Sequence, residues 1–181
     1  MSEGVRERPL AQKTLYTGKI LNLRVDDVEL PDGRKAIREV VEHEPAVGIL
    51  AVGEDGKALL VRQYRYAVGE NMLEIPAGIV EKDEPFDETA RRELQEEIGF
   101  YPGRLRSICS FYNSPGFCTE LMELFYATDL RPSKLEEDYD EFISVVPVDK
   151  KDIPSLISEG KIRDAKTLAA LSWWTAFGDD E

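Results

Sequence analysis

The chain has 181 residues, 42% hydrophobic and 33% charged, which suits one substantial core and leaves little room for a second domain of usual size. Its net charge of −13 argues against a nucleic-acid partner, and any anionic substrate would need local arginines or bound metal ions to overcome the molecule's own field. No stretch has the apolar length that spans a bilayer, and the opening "MSEGVRERPL" lacks the apolar core of a secretory signal, so the expected compartment is the cytoplasm.

In chain order, residues 14–42 alternate in period two, as at Leu21, Leu23 and Val25, around the turn signal "PDGR" at 31–34. They predict a small antiparallel unit. Residues 1–42 are too few to hold a core alone, so they form an arm that leans on the rest of the chain, residues 43–181, or on a second copy. His43 is expected at the surface end of a strand. "AVGILAV" (46–52), "GEDGK" (53–57) and "ALLVRQYRY" (58–66) read as strand, turn and strand, with Asp55-Gly56 as a hairpin marker. "NMLEIPAGIVE" (71–81) is a strand broken by Pro76 and Gly78, and residues 84–98 form a helix. Strands follow at 104–116, running into a Pro-Gly loop, and at 122–130. Cys109 and Cys118 are expected as ordinary packed or half-packed thiols; with His43 they are too few for a structural zinc site. The acidic loop "EEDYDE" (136–141) precedes the strand "FISVVPV". The end is helical, with Asp164 as N-cap and Trp173 and Trp174 packing the last helix onto the core.

The helix at 84–98 carries a charge pattern that needs a reason. At about 100° per residue, Ala90, Leu94 and Ile98 form the core stripe, while Glu93 and Glu97 fall within about 20° of Phe86, along the edge of that stripe. A solvated acidic face would lie opposite. Two carboxylates held together against a protein wall need a counter-charge, or their pKa values rise. Oxygen ligands point to magnesium or manganese rather than zinc. The backbone carbonyl of Ala77 is a third donor of the same kind. Asp83 or Glu84 is expected to cap the helix, with Pro85 in its first turn and Gly99 closing it.

"GIVEKDEPFDETARRELQEEIGF", residues 78–100, resembles the Nudix box without a departure: Gly78, five residues, Glu84, seven residues, then "RELQEEIGF" from Arg92. Pro115 in "NSPGFCTE", fifteen residues after Phe100, together with "LLVRQYRY" and "LEIPAG", is similar to the ADP-ribose pyrophosphatase subgroup. The resemblance covers most of residues 14–177. It implies an α/β/α sandwich around a mixed sheet, preceded by an antiparallel β arm that dimerises. It implies metal-dependent hydrolysis of the diphosphate of ADP-ribose to AMP and ribose 5-phosphate. A GDP-mannose or other nucleotide-sugar pyrophosphatase, and a non-catalytic ADP-ribose sensor, are the alternatives.

Residue by residue, the resemblance implies metal ligands at Ala77, Glu93 and Glu97, with Glu84 and Glu96 in support and Arg92 orienting the carboxylates. It implies substrate contacts at Arg65, Glu74, Pro115 and Gly116, and a general base in the acidic loop, Glu141 ahead of Glu137. Independently, Arg65 ends the half-buried strand face of Leu59, Val61 and Gln63, where a strand-end salt bridge is the other role open to it. Relatives often stack an arm tryptophan on the base; here Tyr16 is the arm's only aromatic residue.

Overall fold

The computed structural model describes residues 6–136, 139 and 142–178. They fall into two compact units. One comprises the chain up to Pro45 with Tyr112–Leu121; the other comprises Ala46–Phe111 and the chain from Met122 onward.

The first unit is an antiparallel meander of β1 (Arg8–Thr17), β2 (Leu21–Glu29) and β3 (Lys35–His43). The turn between β2 and β3 sits on the "PDGR" signal. Leu30 N–H donates to the Arg34 carbonyl at 2.7 Å, the Asp32 carboxylate accepts from Arg34 N–H at 3.1 Å, and Gly33 takes φ 84°. The meander starts earlier than residue 14. β1 is exposed along its whole length, and two irregularities, at Pro9/Ala11 and Thr14/Tyr16, interrupt its register. No buried face imposes an alternating pattern on it. Within the sheet the buried Asp26 accepts from Gln12 at 3.1 Å and from Arg24 at 3.0 Å.

Residues 112–121 add to the end of β3. Val41 N–H donates to the Phe117 carbonyl at 2.7 Å, and Thr119 N–H to the Val41 carbonyl at 3.0 Å. Pro115 and Gly116 form the turn of this segment, closed by bonds from the Phe117 and Cys118 amides to the Ser114 carbonyl. Both cysteines are free thiols, and Cys109 is exposed rather than packed.

The second unit holds two sheets. The first is mixed, in the order β7 (Ala77–Ile79), β4 (Ala46–Ala51), β9 (Leu121–Pro132), β8 (Phe100–Tyr112); β4 runs antiparallel to β7 and parallel to β9. The second is antiparallel, in the order β10 (Ser144–Asp149), β5 (Lys57–Arg65), β6 (Glu70–Glu74).

The expected hairpin at 53–57 therefore forms only as a turn. Gly53 N–H donates to Lys57 and Gly56 N–H to Gly53, and a single bridge joins Val52 to Ala58 before β4 and β5 enter different sheets. Each strand has two edges, and both edges of β4 and of β5 are already occupied.

Every residue of β4 is buried. Its alternate side chains enter opposite cores, as the two-residue period of a strand requires. Val47, Ile49 and Ala51 pack with Ala90, Leu94, Ile98, Phe125 and Ala127. Ala46 and Leu50 pack with Leu60, Leu124, Ile153, Ala170, Leu171 and Trp174. The first core is covered by α1 (Phe86–Glu93) and the helical turn that continues it, the second by α2 (Ile153–Ser158) and α3 (Ala165–Phe177). The result is an α/β/α sandwich on a mixed sheet, with the three-stranded arm before it in sequence. Each fully buried Leu or Ile stabilises it by about 1.5–3 kcal/mol.

Asp164 caps α3 by accepting from Thr167 N–H at 2.9 Å. Trp174 is buried in the core, and Trp173 lies half-buried against Tyr126, ring centroids 5.5 Å apart. Among the described residues no helix is long and apolar enough to cross a membrane.

Candidate active site

The site is built on α1. Its start differs from the sequence expectation. Neither Asp83 nor Glu84 caps it; Pro85 occupies the N-cap position with extended backbone and no side-chain cap. Asp83 is turned into the left-handed region, φ 65°, and so shapes the entry turn. Glu84 is used elsewhere: it accepts from Thr89 Oγ1 at 2.8 Å and takes a two-pronged grip from Arg92, Nε and Nη2 both at 3.0 Å.

The helix is α-helical only to Glu93. Leu94–Ile98 form a π-helical turn, and Gly99 ends it at φ 76° in the left-handed conformation that glycine adopts without penalty.

Arg92 answers the crowding of the glutamates. Besides Glu84, its Nη1 donates to Glu93 at 2.7 Å and to Glu96 at 2.9 Å, and Nη2 donates to the Ile79 carbonyl at 3.3 Å. The hydrogen bonds from Arg92 outweigh the cost of burial and hold the Glu84 carboxyl at a pKa of about 2. The same carboxylates push the Arg92 guanidinium above its ordinary range.

Glu93 and Glu97 are 8% and 6% exposed, beside the buried Ala90, Leu94 and Ile98. Glu97 Oε2 accepts from Ala77 N–H at 3.1 Å, which ties the helix to β7. The Glu93 carboxylate rests where a side chain at position 78 would stand: a Cβ on Gly78 would collide with it. Glycine is required there for close approach rather than for a special backbone angle.

Glu84, Glu93, Glu96 and Glu97 against Arg92 carry a formal charge of −3. Among the described residues no three His, Cys, Asp or Glu side chains are placed to hold a metal by themselves. The donor set is instead two buried carboxylates next to a strand backbone. That chemistry fits a hard divalent cation that keeps several waters and takes further ligands from a phosphate. The residues that would hold it are Glu93, Glu97 and the Ala77 carbonyl.

Arg65 is the last residue of β5 and Glu74 the last of β6; the strands are antiparallel, with Glu74 opposite Val61, and the Arg65 side chain reaches along the ladder to the Glu74 carboxylate. Arg65 Nε donates to Glu74 Oε1 at 3.0 Å and Nη2 to Oε2 at 2.8 Å. Glu74 is 3% exposed, whereas the Arg65 side chain remains 38% exposed. The strand-end salt bridge is thus present, and the partial exposure of the Arg65 side chain leaves a substrate role compatible with it. Burial pushes the Glu74 carboxyl up, but hydrogen bonds and charge from Arg65 and Lys166 outweigh it and hold the group below the ordinary carboxylate range.

Lys166, from the first turn of α3, was not a sequence candidate. A signal existed: a cation beside a helix N-terminus opposes the helix dipole and calls for a local anion.

Pro115 and Gly116 belong to the first unit, in the turn beside β3. Glu141 and Glu137 lie outside the described residues. The segment just before the acidic loop is anchored to the end of the site helix. Gln95 Nε2 donates to Ser133 Oγ at 2.8 Å, Ser133 N–H to the Gly99 carbonyl at 2.9 Å, and Leu135 N–H to the Gln95 carbonyl at 3.2 Å.

Comparison with known proteins supplies the family. Residues 42–171 match the model of the NUDIX domain, and residues 7–41 match that of the nucleoside diphosphate sugar hydrolase N-terminal domain. The chain is 40% identical over 173 residues to a Bacillus subtilis protein named ADP-ribose pyrophosphatase, covering 94% of both chains. It is 36% identical over 177 residues to a Bacillus methanolicus protein named methanol dehydrogenase activator, covering 96% of this chain and 95% of that one. A crystal structure titled ADP compounds hydrolase superposes with a TM-score of 0.86 at 24% identity, covering 98% of this chain and 99% of that one, which shows the shared fold. From the box at residues 78–100 to the sandwich that carries it, the chain belongs to the Nudix family of hydrolases.

Proposed function

We propose that this protein hydrolyses the diphosphate of ADP-ribose to AMP and ribose 5-phosphate. The observation that carries the reading is the buried pair Glu93 and Glu97, set against β7 where Gly78 leaves room for a carboxylate. A non-catalytic sensor has no use for such a set. The substrate class follows from similarity over nearly the whole length to a protein named for ADP-ribose.

A divalent cation bound at Glu93, Glu97 and the Ala77 carbonyl, magnesium or manganese, supplies charge to the diphosphate and lowers the pKa of an attacking water. The chain's own groups do the rest. Arg92 orients Glu84, Glu93 and Glu96 and keeps Glu84 ionised. Arg65, fixed by Glu74, grips the anionic ligand, with the Pro115–Gly116 turn as a further substrate contact. Glu141 removes a proton from the water as its oxygen bonds to phosphorus, and the P–O–P bridge breaks to release a second phosphate monoester.

The functional unit is a homodimer in the cytoplasm, joined through the arm at residues 1–42. Leu15, Tyr16, Ile20 and Ile37 of the arm are exposed apolar side chains, which supports a covering partner.

The test is a panel of ADP-ribose, GDP-mannose and other nucleotide sugars, with magnesium, with manganese and with chelator, products separated by chromatography. Metal-dependent release of AMP from ADP-ribose, with the highest kcat/KM of the panel, is the expected result. Preference for GDP-mannose would move the substrate, and binding without turnover of any member would replace the enzyme by a sensor.

A further inference from the structure

Lys166 is 8% exposed, in the first turn of a helix whose dipole disfavours a cation there. A buried ammonium persists only with charged partners. Its Nζ is paired with Glu74 Oε2 and, at 3.1 Å, with Asp164 Oδ1. Asp164 is itself fixed as the N-cap of α3, accepting from the amide and hydroxyl of Thr167. Thr167 Oγ1 in turn accepts from Ile75 N–H at 2.9 Å. The first turn of α3 is therefore bonded to Glu74 through an ion pair and to the next residue, Ile75, through a neutral hydrogen bond.

On its other side Glu74 holds Arg65 by both oxygens. The carboxylate faces three donors from two cations, and the four charged groups Arg65, Lys166, Glu74 and Asp164 sum to zero. We propose that Lys166 is a positioning residue for substrate binding: anchored on Asp164, it fixes the Glu74 carboxylate, which in turn sets the orientation in which Arg65 meets the anionic ligand. This rests on the reading of Arg65 as a substrate contact.

Two consequences follow from removing the ammonium. Glu74 Oε2 loses a donor, which loosens the carboxylate that orients Arg65. The cluster also acquires a net negative charge, which opposes a diphosphate in a protein already at −13. Neither change touches Glu93 or Glu97, so the loss belongs in binding rather than in the chemical step.

The experiment uses the full chain and measures KM and kcat for ADP-ribose, the Kd of an ADP-ribose analogue whose phosphorus atoms are joined by a methylene bridge, and Tm. For Lys166→Met, Kd and KM rise about tenfold while kcat stays within about threefold, the size expected for one coupled member of a polar network. Lys166→Arg recovers most of the affinity. In a Glu74→Gln background, Lys166→Met weakens Kd clearly less than it does alone, because the positioning part of its effect passes through Glu74 and only the loss of charge remains. Lys166→Gln carries the same measurements if Lys166→Met does not fold.

A lowered Tm with unchanged Kd would overturn the proposal, as would a full additional loss of affinity in the Glu74→Gln background. Arg65→Ala separates the two levels. If Arg65→Ala leaves Kd unchanged, the reading of Arg65 falls and this proposal with it. If Arg65→Ala weakens binding and Lys166→Met does not, only the role of Lys166 falls.

Discussion

Glu97 combines two properties that seldom coexist in one side chain: it is buried beside the apolar stripe, and it is a carboxylate tied to β7 through the Ala77 amide. Glu97→Gln keeps shape and hydrogen-bonding capacity but removes charge. We expect the variant to fold as the wild type does and to lose at least ~10²-fold in kcat, since held charge is usually a large catalytic contribution. Near-wild-type turnover at saturating magnesium would remove Glu97 from the metal site. Glu74 gives a pH dependence. Its pKa is lower in the folded protein than its ordinary 4.5, so its ionised form stabilises the fold. That contribution is complete above the ordinary value and is lost as pH falls through the lower, folded one. Glu74→Gln, which leaves Arg65 and Lys166 facing each other, should cost about 2–3 kcal/mol at neutral pH. Urea titrations down to about pH 3 should show the gap from wild type closing only below the ordinary carboxylate range. A gap that stays constant into acid would mean that Glu74 contributes packing and not charge.

At the scale of elements, the site helix was legible because its anomaly was local. Glu93 and Glu97 broke the amphipathic pattern, and a helical period places them against the core, as the structure does. The π-helical turn at Leu94–Ile98 was not legible, since an i→i+5 turn leaves no distinct residue pattern. The parting of β4 and β5 was hidden for another reason. Asp55-Gly56 specifies a turn, but the sheets that its strands join depend on partners far along the chain, such as Met122 opposite Ala46 and Ser144 opposite Arg62. The role of Lys166 was not legible because Glu74, the anion that links it to Arg65, lies far away in the chain. The acidic loop carries an element-level prediction. The segment that leads into it, at Ser133 and Leu135, is bonded to the end of the site helix through Gln95 and Gly99, which favours a catalytic group in the loop. We expect Glu141→Gln to cut kcat by ~10² or more with little change in the Kd of the methylene analogue, because a base acts chiefly in the transition state. Glu137→Gln should do much less. Reversed effects would assign the base to Glu137, and two neutral variants would leave the loop as solvated charge.

For the whole molecule, light scattering should give the mass of a dimer, and deletion of residues 1–42 should yield an unstable or inactive protein; a fully active monomeric truncation would rule out the arm as a dimerisation element. A different consequence lies in β4. It is the middle layer of both cores, and its parallel partner β9 and covering helix α3 are encoded long after it. During synthesis β4 leaves the ribosome with neither in place, so it waits as an apolar segment until most of the chain has emerged. Once enclosed, its backbone amides can meet solvent only when both layers open together. Deuterium should therefore reach Val47–Leu50 at the rate of global unfolding, and the strand that is last to be completed should be last to exchange.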